Sequence, residues 1–86
     1  ICFTGSTATG KKVMAAATDS IKKLSLELGG KSCCLVFDDA DIADVAGKIA
    51  TAATIISGQQ CTAARRVLVH ESRANAMREA LTATLA

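Results

Sequence analysis

Strand-like and helix-like patterns alternate along the whole chain, and this alternation restricts its fold more than any other feature. Apolar runs with strand character are separated by segments in which apolar residues recur at helical spacing. In chain order we predict strands at 1–3, 23–28, 33–37 and 66–70 and helices at 7–20, 42–56 and 74–85. The resulting order, β-α-β-β-α-β-α, predicts an α/β layered architecture with largely parallel strands, because parallel neighbours are joined by crossover connections that are usually helical.

The apolar residues are mostly small, which limits the core that the chain can build. The 86 residues are 50% hydrophobic but only 2% aromatic, and alanine supplies much of the apolar content. The sequence also opens on the apolar run 1–3 and closes in the middle of a helical pattern at Leu85-Ala86. We therefore expect a piece of a longer protein, which has marginal stability and no activity when isolated.

Charge and hydropathy exclude two classes of partner. The net charge is +2, and the lysines and arginines form no basic stripe and face no aromatic platform, so we predict no nucleic-acid binding. No apolar run approaches the ~20 residues of a membrane span, and we predict no membrane partner.

The residue types that commonly hold metal ions are not arranged as a site. The four cysteines form no C-x-x-C pair, and His70 is the only histidine. The acidic turn 38–41 lacks the spacing of a calcium loop, and Asp41 is better explained as the cap of the next helix. We therefore predict no metal. Because a disulfide framework is typical of secreted domains and is not indicated here, we predict a reducing, cytoplasmic location.

One cysteine has loop-like neighbours. Cys61 follows Gly58 and two glutamines, between a helical pattern and a strand pattern. Cys2, Cys33 and Cys34 lie in apolar strand-like runs, where cysteine is usually a small buried hydrophobe. Cys61 is therefore the candidate for a thiol that a small molecule can reach.

A carboxylate stands out in the second strand-like run. Leucines alternate with polar residues there, so Ser25 and Glu27 share the polar face, and Gly29-Gly30 then permits a sharp change of direction. A thiolate is a strong nucleophile and a carboxylate can activate water, so Glu27 and Cys61 together suggest a base and a nucleophile. From the residue types alone, the alternative that Glu27 is an ordinary exposed strand residue stays open.

The first strand is followed by a glycine turn and a helix start. This geometry presents backbone N–H groups and the helix dipole to an anion, and Ser6 or Thr7 can cap the helix. Residues 5–11 also match most of a P-loop, but Lys12 replaces the Ser or Thr that would hold magnesium. The segment is therefore either a phosphate-binding turn or simply a capped helix.

Four motifs together resemble the NAD(P)-dependent aldehyde dehydrogenase superfamily. In chain order they are Phe3-Thr4-Gly5-Ser6-Thr7-x-x-Gly10, Leu26-Glu27-Leu28-Gly29-Gly30-Lys31, Phe37-Asp38-Asp39-Ala40-Asp41, and Gly58-Gln59-Gln60-Cys61 with Arg66. Their order and spacing fit that family, in which 34 positions separate the glutamate from the cysteine, as they separate Glu27 from Cys61. The resemblance extends over essentially the whole chain.

The resemblance implies roles for both candidate catalytic residues. Cys61 corresponds to the nucleophile that attacks the aldehyde to form a thiohemiacetal, which becomes a thioester when hydride leaves for NAD or NADP. Glu27 corresponds to the general base that activates water to hydrolyse the thioester. The backbone N–H of Cys61 would form half of the oxyanion hole.

The resemblance also implies the cofactor site and the domain organisation. Residues 1–28 would be the end of a Rossmann-like dinucleotide-binding domain, and residues 29–86 the start of the catalytic domain of a three-layer α/β/α fold. The parent enzyme would act on a small-molecule aldehyde as a homodimer or homotetramer. The implied cofactor-binding residues are Thr4, Gly5, Ser6, Gly10 and Leu28, the last through its carbonyl.

The chain departs from the family pattern at two positions. Cys33 stands where the family often has proline, and Ile56 stands where it often has asparagine. We expect Ile56 to lie on the apolar face of the helix that precedes Cys61, so that packing is kept. Lys31, Asp38 and Arg66 are expected to be structural.

Two alternative functions remain open from the sequence. A CoA-acylating relative would transfer the acyl group to CoA rather than to water, although Glu27 favours hydrolysis. A catalytically silent nucleotide-binding module or a P-loop nucleotidase would use the glycine turn alone.

Overall fold

Two α/β units make up the chain, residues 1–30 and 31–86, and the computed structural model describes all 86 residues. Each unit contains one two-stranded parallel sheet. The strands are β1 (Cys2–Gly5), β2 (Ser25–Leu28), β3 (Ser32–Val36) and β4 (Ala64–Val69), and the α-helices are α1 (Thr7–Ala17), α2 (Ile42–Thr54) and α3 (Ala74–Leu85). The predicted order β-α-β-β-α-β-α is confirmed, and with it the α/β class and the parallel pairing.

The division between the units falls after Gly30, close to the boundary predicted after Leu28. The assignment of residues 1–28 to a cofactor domain and of 29–86 to a catalytic domain stays a prediction. None of the helices combines the length and the apolar character required to cross a bilayer.

In the first unit, α1 connects β1 to its parallel neighbour β2. Ser6 caps the helix as predicted, because its Oγ accepts the Thr9 backbone N–H at 3.2 Å. Gly10 is buried against β2, and a methyl group there would lie only 2.6 Å from Leu28 Cδ2. The glycine therefore permits the close approach of helix and strand. The regular helix ends at Ala17, and a 3-10 turn replaces the last three residues of the predicted helix.

In the second unit, α2 and α3 pack together on one face of the β3–β4 sheet. Asp41 caps α2 as predicted, because its Oδ1 accepts the backbone N–H groups of Ala43 and Asp44 at 3.0 and 3.2 Å. The buried residues that form the core come from β3 and both helices, and they are Val36, Ala46, Ile49 and Met77.

The run 33–37 is continuously apolar, a pattern typical of a strand covered on both faces, but only one face of this strand is covered in the structure. Cys34 and Val36 face the helices, but Leu35 is 65% exposed and Cys33 is exposed. Side chains alternate between the two faces of a strand, and the helices cover only one face of this sheet.

The prediction of buried cysteines outside the loop is wrong. Cys2 and Cys33 are exposed and Cys34 is half-buried, so none of the three is a fully buried core residue. Strand β1, which includes two residues of the apolar run 1–3, likewise has no buried residue.

The helix before Cys61 ends earlier than its apolar spacing predicts. The last helical residue is Thr54, and Ile55 has extended backbone angles (φ −51°, ψ 129°). Ile56 and Ser57 then adopt left-handed conformations (φ 49° and 54°), and Ile56 is 71% exposed. The expectation that Ile56 lies on the apolar face of the helix is therefore wrong, because the helix ends two residues before it.

Candidate active site

The predicted cofactor residues gather at one edge of the first unit. Strands β1 and β2 are parallel, so their carboxyl ends lie side by side, with Thr4 opposite Glu27 and Gly5 opposite Leu28. Helix α1 starts two residues beyond Gly5. Ligands of α/β sheets characteristically bind outside the carboxyl ends of the strands, and this edge has that geometry.

The start of α1 leaves backbone donors free at this edge. The Ser6 hydroxyl is used within the cap, where it accepts the Thr9 N–H and donates to Thr9 Oγ1 at 3.0 Å. The backbone N–H groups of Thr7 and Ala8 have no hydrogen-bond partner, and both residues are exposed. Two N–H groups at the positive end of the helix dipole are therefore available to an anion.

The P-loop interpretation of residues 5–11 does not fit the structure. A P-loop wraps its backbone around the phosphates before its helix begins. Here only Ser6 separates the last residue of β1 from the first residue of α1, and Gly10 and Lys11 lie inside the helix. The segment is a short turn with a capped helix, and it cannot form the phosphate-wrapping loop of a P-loop nucleotidase.

Glu27 lies on the open face of β2. Its neighbours Leu26 and Leu28 are half-buried, whereas Glu27 is exposed, so the predicted alternation is confirmed. Its carboxylate makes no ion pair or hydrogen bond. The carboxylate is therefore exposed and unpaired on this face.

Cys61 lies in the second unit, in the loop between α2 and β4, and its side chain is exposed. Two backbone hydrogen bonds shape this loop: the Gln59 N–H donates to the Ile56 carbonyl, and the Ala63 N–H donates to the Gln60 carbonyl, both at 3.0 Å. The thiol is accessible, as predicted from its loop setting. Cys61 and Glu27 belong to different units, and their action as a pair stays a prediction.

Gly58 anchors the same loop and is buried. Its φ is +73°, a conformation that favours glycine. A methyl group there would lie 3.0 Å from the Ala53 carbonyl oxygen and 3.2 Å from Arg65 Nη1. Arg65 Nη2 donates a hydrogen bond to the Gly58 carbonyl. Sequence reasoning missed Arg65, because nothing in its immediate neighbours distinguishes it from a solvated strand residue.

The residues predicted to be structural make backbone contacts within the second unit. Arg66 donates to the Lys31 carbonyl through Nε at 3.2 Å and Nη2 at 2.8 Å, and so joins β4 to the residue before β3. The Asp38 carbonyl accepts a hydrogen bond from Arg73. His70 is exposed, and its ring accepts the Ser72 N–H at the start of a 3-10 turn.

Surface grooves and metal-type clusters do not coincide with these residues. Three grooves lie along α2, between β4 and α3, and beside the end of α1, and none is lined by a predicted site residue. No three His, Cys, Asp or Glu side chains are grouped as metal ligands. The structure therefore shows an α/β chain that has unpartnered backbone N–H groups at a helix start in one unit and an exposed cysteine next to a buried glycine in the other.

The family follows from comparison with known proteins. The family model described as "Aldehyde dehydrogenase family" matches residues 1–86. The chain therefore belongs to the aldehyde dehydrogenase family, and the resemblance seen in its motifs is confirmed.

Individual relatives agree with this assignment. The chain is 60% identical over 72 residues to mitochondrial succinate-semialdehyde dehydrogenase of Oryza sativa subsp. japonica, a match that covers 83% of this chain and 14% of the relative. Gamma-glutamyl-gamma-aminobutyraldehyde dehydrogenase of Burkholderia cenocepacia superposes with a TM-score of 0.90 at 44% identity, over 98% of this chain and 17% of that structure.

A third relative is a ligand complex. A cysteine-to-alanine mutant of aldehyde dehydrogenase C from Pseudomonas syringae, complexed with NAD⁺ and octanal, superposes with a TM-score of 0.94 at 33% identity. The match covers 98% of this chain and 17% of that structure. The chain thus spans about one sixth or less of the length of the relatives that it matches.

The predicted cytoplasmic location is wrong. Similar proteins are named mitochondrial in Oryza sativa, chloroplastic in Amaranthus hypochondriacus and peroxisomal in Malus domestica. The prediction used the lack of a disulfide framework, which argues against an oxidising compartment but does not distinguish the cytoplasm from the interior of an organelle.

Proposed function

We propose that this chain is the part of an NAD(P)-dependent aldehyde dehydrogenase that carries its nucleophile and its general base. The full-length enzyme oxidises an aldehyde to a carboxylic acid. The observation that carries the proposal is the family match over residues 1–86, in which Cys61 occupies an exposed loop and Glu27 an open strand face. The relatives are named for several different aldehydes, so the proposal specifies the reaction and not the substrate.

In this mechanism Cys61 provides the covalent step. Its thiolate attacks the carbonyl carbon of the aldehyde, a carbon–sulfur bond forms, and the carbonyl electron pair moves onto oxygen. The backbone N–H of Cys61 donates to that oxygen and stabilises its charge. The resulting thiohemiacetal becomes a thioester when the carbon gives up hydride.

Glu27 completes the cycle. Its carboxylate takes a proton from water while the water oxygen attacks the thioester carbon, and the carbon–sulfur bond then breaks to return the Cys61 thiolate. An unpaired carboxylate suits this role, since its oxygens are not held in an ion pair and can accept a hydrogen bond from water. The same feature supports hydrolysis over transfer to CoA.

The residues at the carboxyl edge of β1 and β2 fit a dinucleotide. The free N–H groups of Thr7 and Ala8 suit the pyrophosphate, and Gly10 lets α1 approach β2 closely enough to present them. The contacts to the dinucleotide would be completed by Thr4, Gly5, Ser6 and the Leu28 carbonyl. When bound, NAD or NADP accepts the hydride that leaves the carbon held by Cys61.

A homodimeric or homotetrameric parent enzyme remains a prediction from the family resemblance.

The test is an assay of the full-length protein with NAD⁺ and NADP⁺ against a panel of aldehydes. We expect aldehyde-dependent reduction of at least one nicotinamide cofactor, with release of the free acid. Formation of an acyl-CoA only when CoA is added would favour the CoA-acylating alternative. Absence of cofactor reduction with every aldehyde would contradict the proposal.

A further inference from the structure

The turn that precedes Cys61 has an unusual backbone. Ile56 and Ser57 are both left-handed, with φ of 49° and 54°, and Gly58 follows at φ 73°. A positive φ is uncommon for any residue other than glycine and is a genuine outlier for a β-branched residue such as isoleucine. Strained turns of this kind persist only where surrounding structure holds them.

The contact that holds this turn comes from Arg65. Its guanidinium donates to the Gly58 carbonyl, seven residues earlier in the chain. The Ala53 carbonyl oxygen at the end of α2 and the Arg65 guanidinium both lie close to the position that a Cβ of residue 58 would take, at 3.0 and 3.2 Å, so a side chain has no room there. An arginine–carbonyl hydrogen bond carries charge assistance, which makes it stronger than a neutral one.

An irregularity in β4 explains why Arg65 reaches the loop. Ser32 pairs with Ala64, but the next residue of β3, Cys33, pairs with Arg66. Arg65 is therefore an extra residue without a partner in the ladder. Such a bulge bends a strand and re-aims the side chain it carries, and bulges are common beside active sites. The neighbouring Arg66 stays in register and contacts Lys31 instead.

We propose that Arg65 is the positioning residue of the Cys61 loop. By donating to the Gly58 carbonyl it keeps the turn at 56–58 in its left-handed conformation, and so orients the Cys61 thiol toward the aldehyde carbon. Arg65 acts through the backbone of Gly58 and touches no reacting atom. The inference rests on the proposed function, in which Cys61 is the nucleophile.

The test compares variants of the full-length enzyme. Arg65→Met keeps the length of the side chain but removes its donors, and Arg65→Lys keeps a charged donor. Arg78→Met is the matched control, since Arg78 is an exposed arginine of α3 whose side chain makes no hydrogen bond. We expect Arg65→Met to lower kcat and the rate of iodoacetamide labelling at Cys61, each on the order of tenfold. The KM for aldehyde should stay within about twofold, Arg65→Lys should recover most of the loss, and Arg78→Met should match the parent enzyme.

A second background keeps the test decisive if Arg65→Met folds poorly. Asparagine tolerates the left-handed conformation far better than isoleucine does, so Ile56→Asn should make the turn less dependent on Arg65. We expect Arg65→Met to reduce kcat less when Ile56 is also replaced by asparagine than when Ile56 is kept. Equal losses in both backgrounds would overturn the proposal.

Failure of this proposal is distinguishable from failure of the proposed function. If Cys61→Ala abolishes activity while Arg65→Met behaves like Arg78→Met, the function stands and the role of Arg65 is refuted. A lower melting temperature of Arg65→Met with unchanged kcat and labelling rate would also refute it, since that marks a purely structural contact. If Cys61→Ala retains activity, the proposed function fails, and the role of Arg65 fails with it.

Discussion

At the scale of single residues, exposure does not distinguish the cysteines. Cys2, Cys33 and Cys61 are all exposed in this chain, and only Cys61 lies in a loop. Its distinction is the turn before it, in which the buried Gly58 has a positive φ and its carbonyl accepts a hydrogen bond from Arg65. We therefore expect the reactivity of each thiol to depend on the backbone conformation around its cysteine, and substitution of single cysteines tests this.

Removal of the Cys61 thiol should abolish turnover. In the full-length enzyme we expect Cys61→Ala to lower kcat on the order of a thousandfold or more, because no other group can form the thioester. Cys33→Ala is the matched control, since it removes an exposed thiol from a strand. The measurement is aldehyde-dependent NAD(P)H absorbance. Loss of turnover in Cys33→Ala but not in Cys61→Ala would show that the nucleophile has been misassigned.

Replacement of Glu27 should affect hydrolysis of the thioester more than its formation. Glu27→Gln keeps the size of the side chain but cannot take a proton from water, so the steady-state rate should fall on the order of 10²–10³-fold. Rapid mixing should still show a burst of NAD(P)H. Glu79→Gln, at an exposed position on α3, serves as the control. An unchanged steady state would exclude Glu27 as the base, whereas a lost burst would mean that it also activates Cys61.

At the scale of elements, caps and periodicity made much of the fold predictable, whereas long-range contacts did not. Ser6 and Asp41 could be identified from the sequence because a cap acts within three residues of itself. Ile56 was misplaced because its spacing continues the helical pattern, while the chain leaves the helix at Thr54. The role of Arg65 depends on how β4 pairs with β3, which residue spacing alone does not contain.

Two helical glycines give a matched test of helix packing. Gly47 in α2 has no neighbouring atom within 4 Å, so Gly47→Ala should raise the free energy of unfolding by about 0.5–1 kcal/mol through helix propensity. Gly10→Ala should gain less than Gly47→Ala, because the added methyl group would lie 2.6 Å from Leu28 Cδ2 and the Leu28 side chain would have to shift.

The measurement is denaturant unfolding of the full-length protein, monitored by circular dichroism. The two substitutions are chemically identical and both occur inside helices, so each controls for the other. Equal stabilisation by both would show that α1 does not pack closely on β2.

At the scale of the whole molecule, the candidate site is less predictable from local patterns than the fold. The motifs identified Glu27 and Cys61, but the structure divides the chain so that the two belong to different units. Local patterns predict the setting of each residue separately: Glu27 on an open strand face, and Cys61 in a loop. The packing of one unit on the other is not described by any local pattern.

The 86-residue chain should be inactive and barely stable by itself. Each of its sheets has only two strands, and the face of β3 and β4 away from the helices exposes Leu35 and Leu68. Unpaired edges and exposed apolar side chains favour aggregation, and a core rich in alanine gains little from burial at ~25 cal/mol per Å². Circular dichroism melting and a cofactor-reduction assay on this chain test the expectation. A cooperative transition at about 45–65 °C together with aldehyde-dependent NAD(P)H formation would contradict it.

The extra residue in β4 also has a consequence for chain length. Ser32 and Cys33 are consecutive in β3, whereas their partners Ala64 and Arg66 are separated by one residue in β4. That residue, Arg65, has no partner in the ladder. A variant that lacks position 65 would pair these strands without interruption, and Val67 and Val69 would keep facing the helices. Deletion of this residue is therefore expected to leave the β3–β4 pairing and the core intact, while it removes the guanidinium that contacts the Gly58 carbonyl.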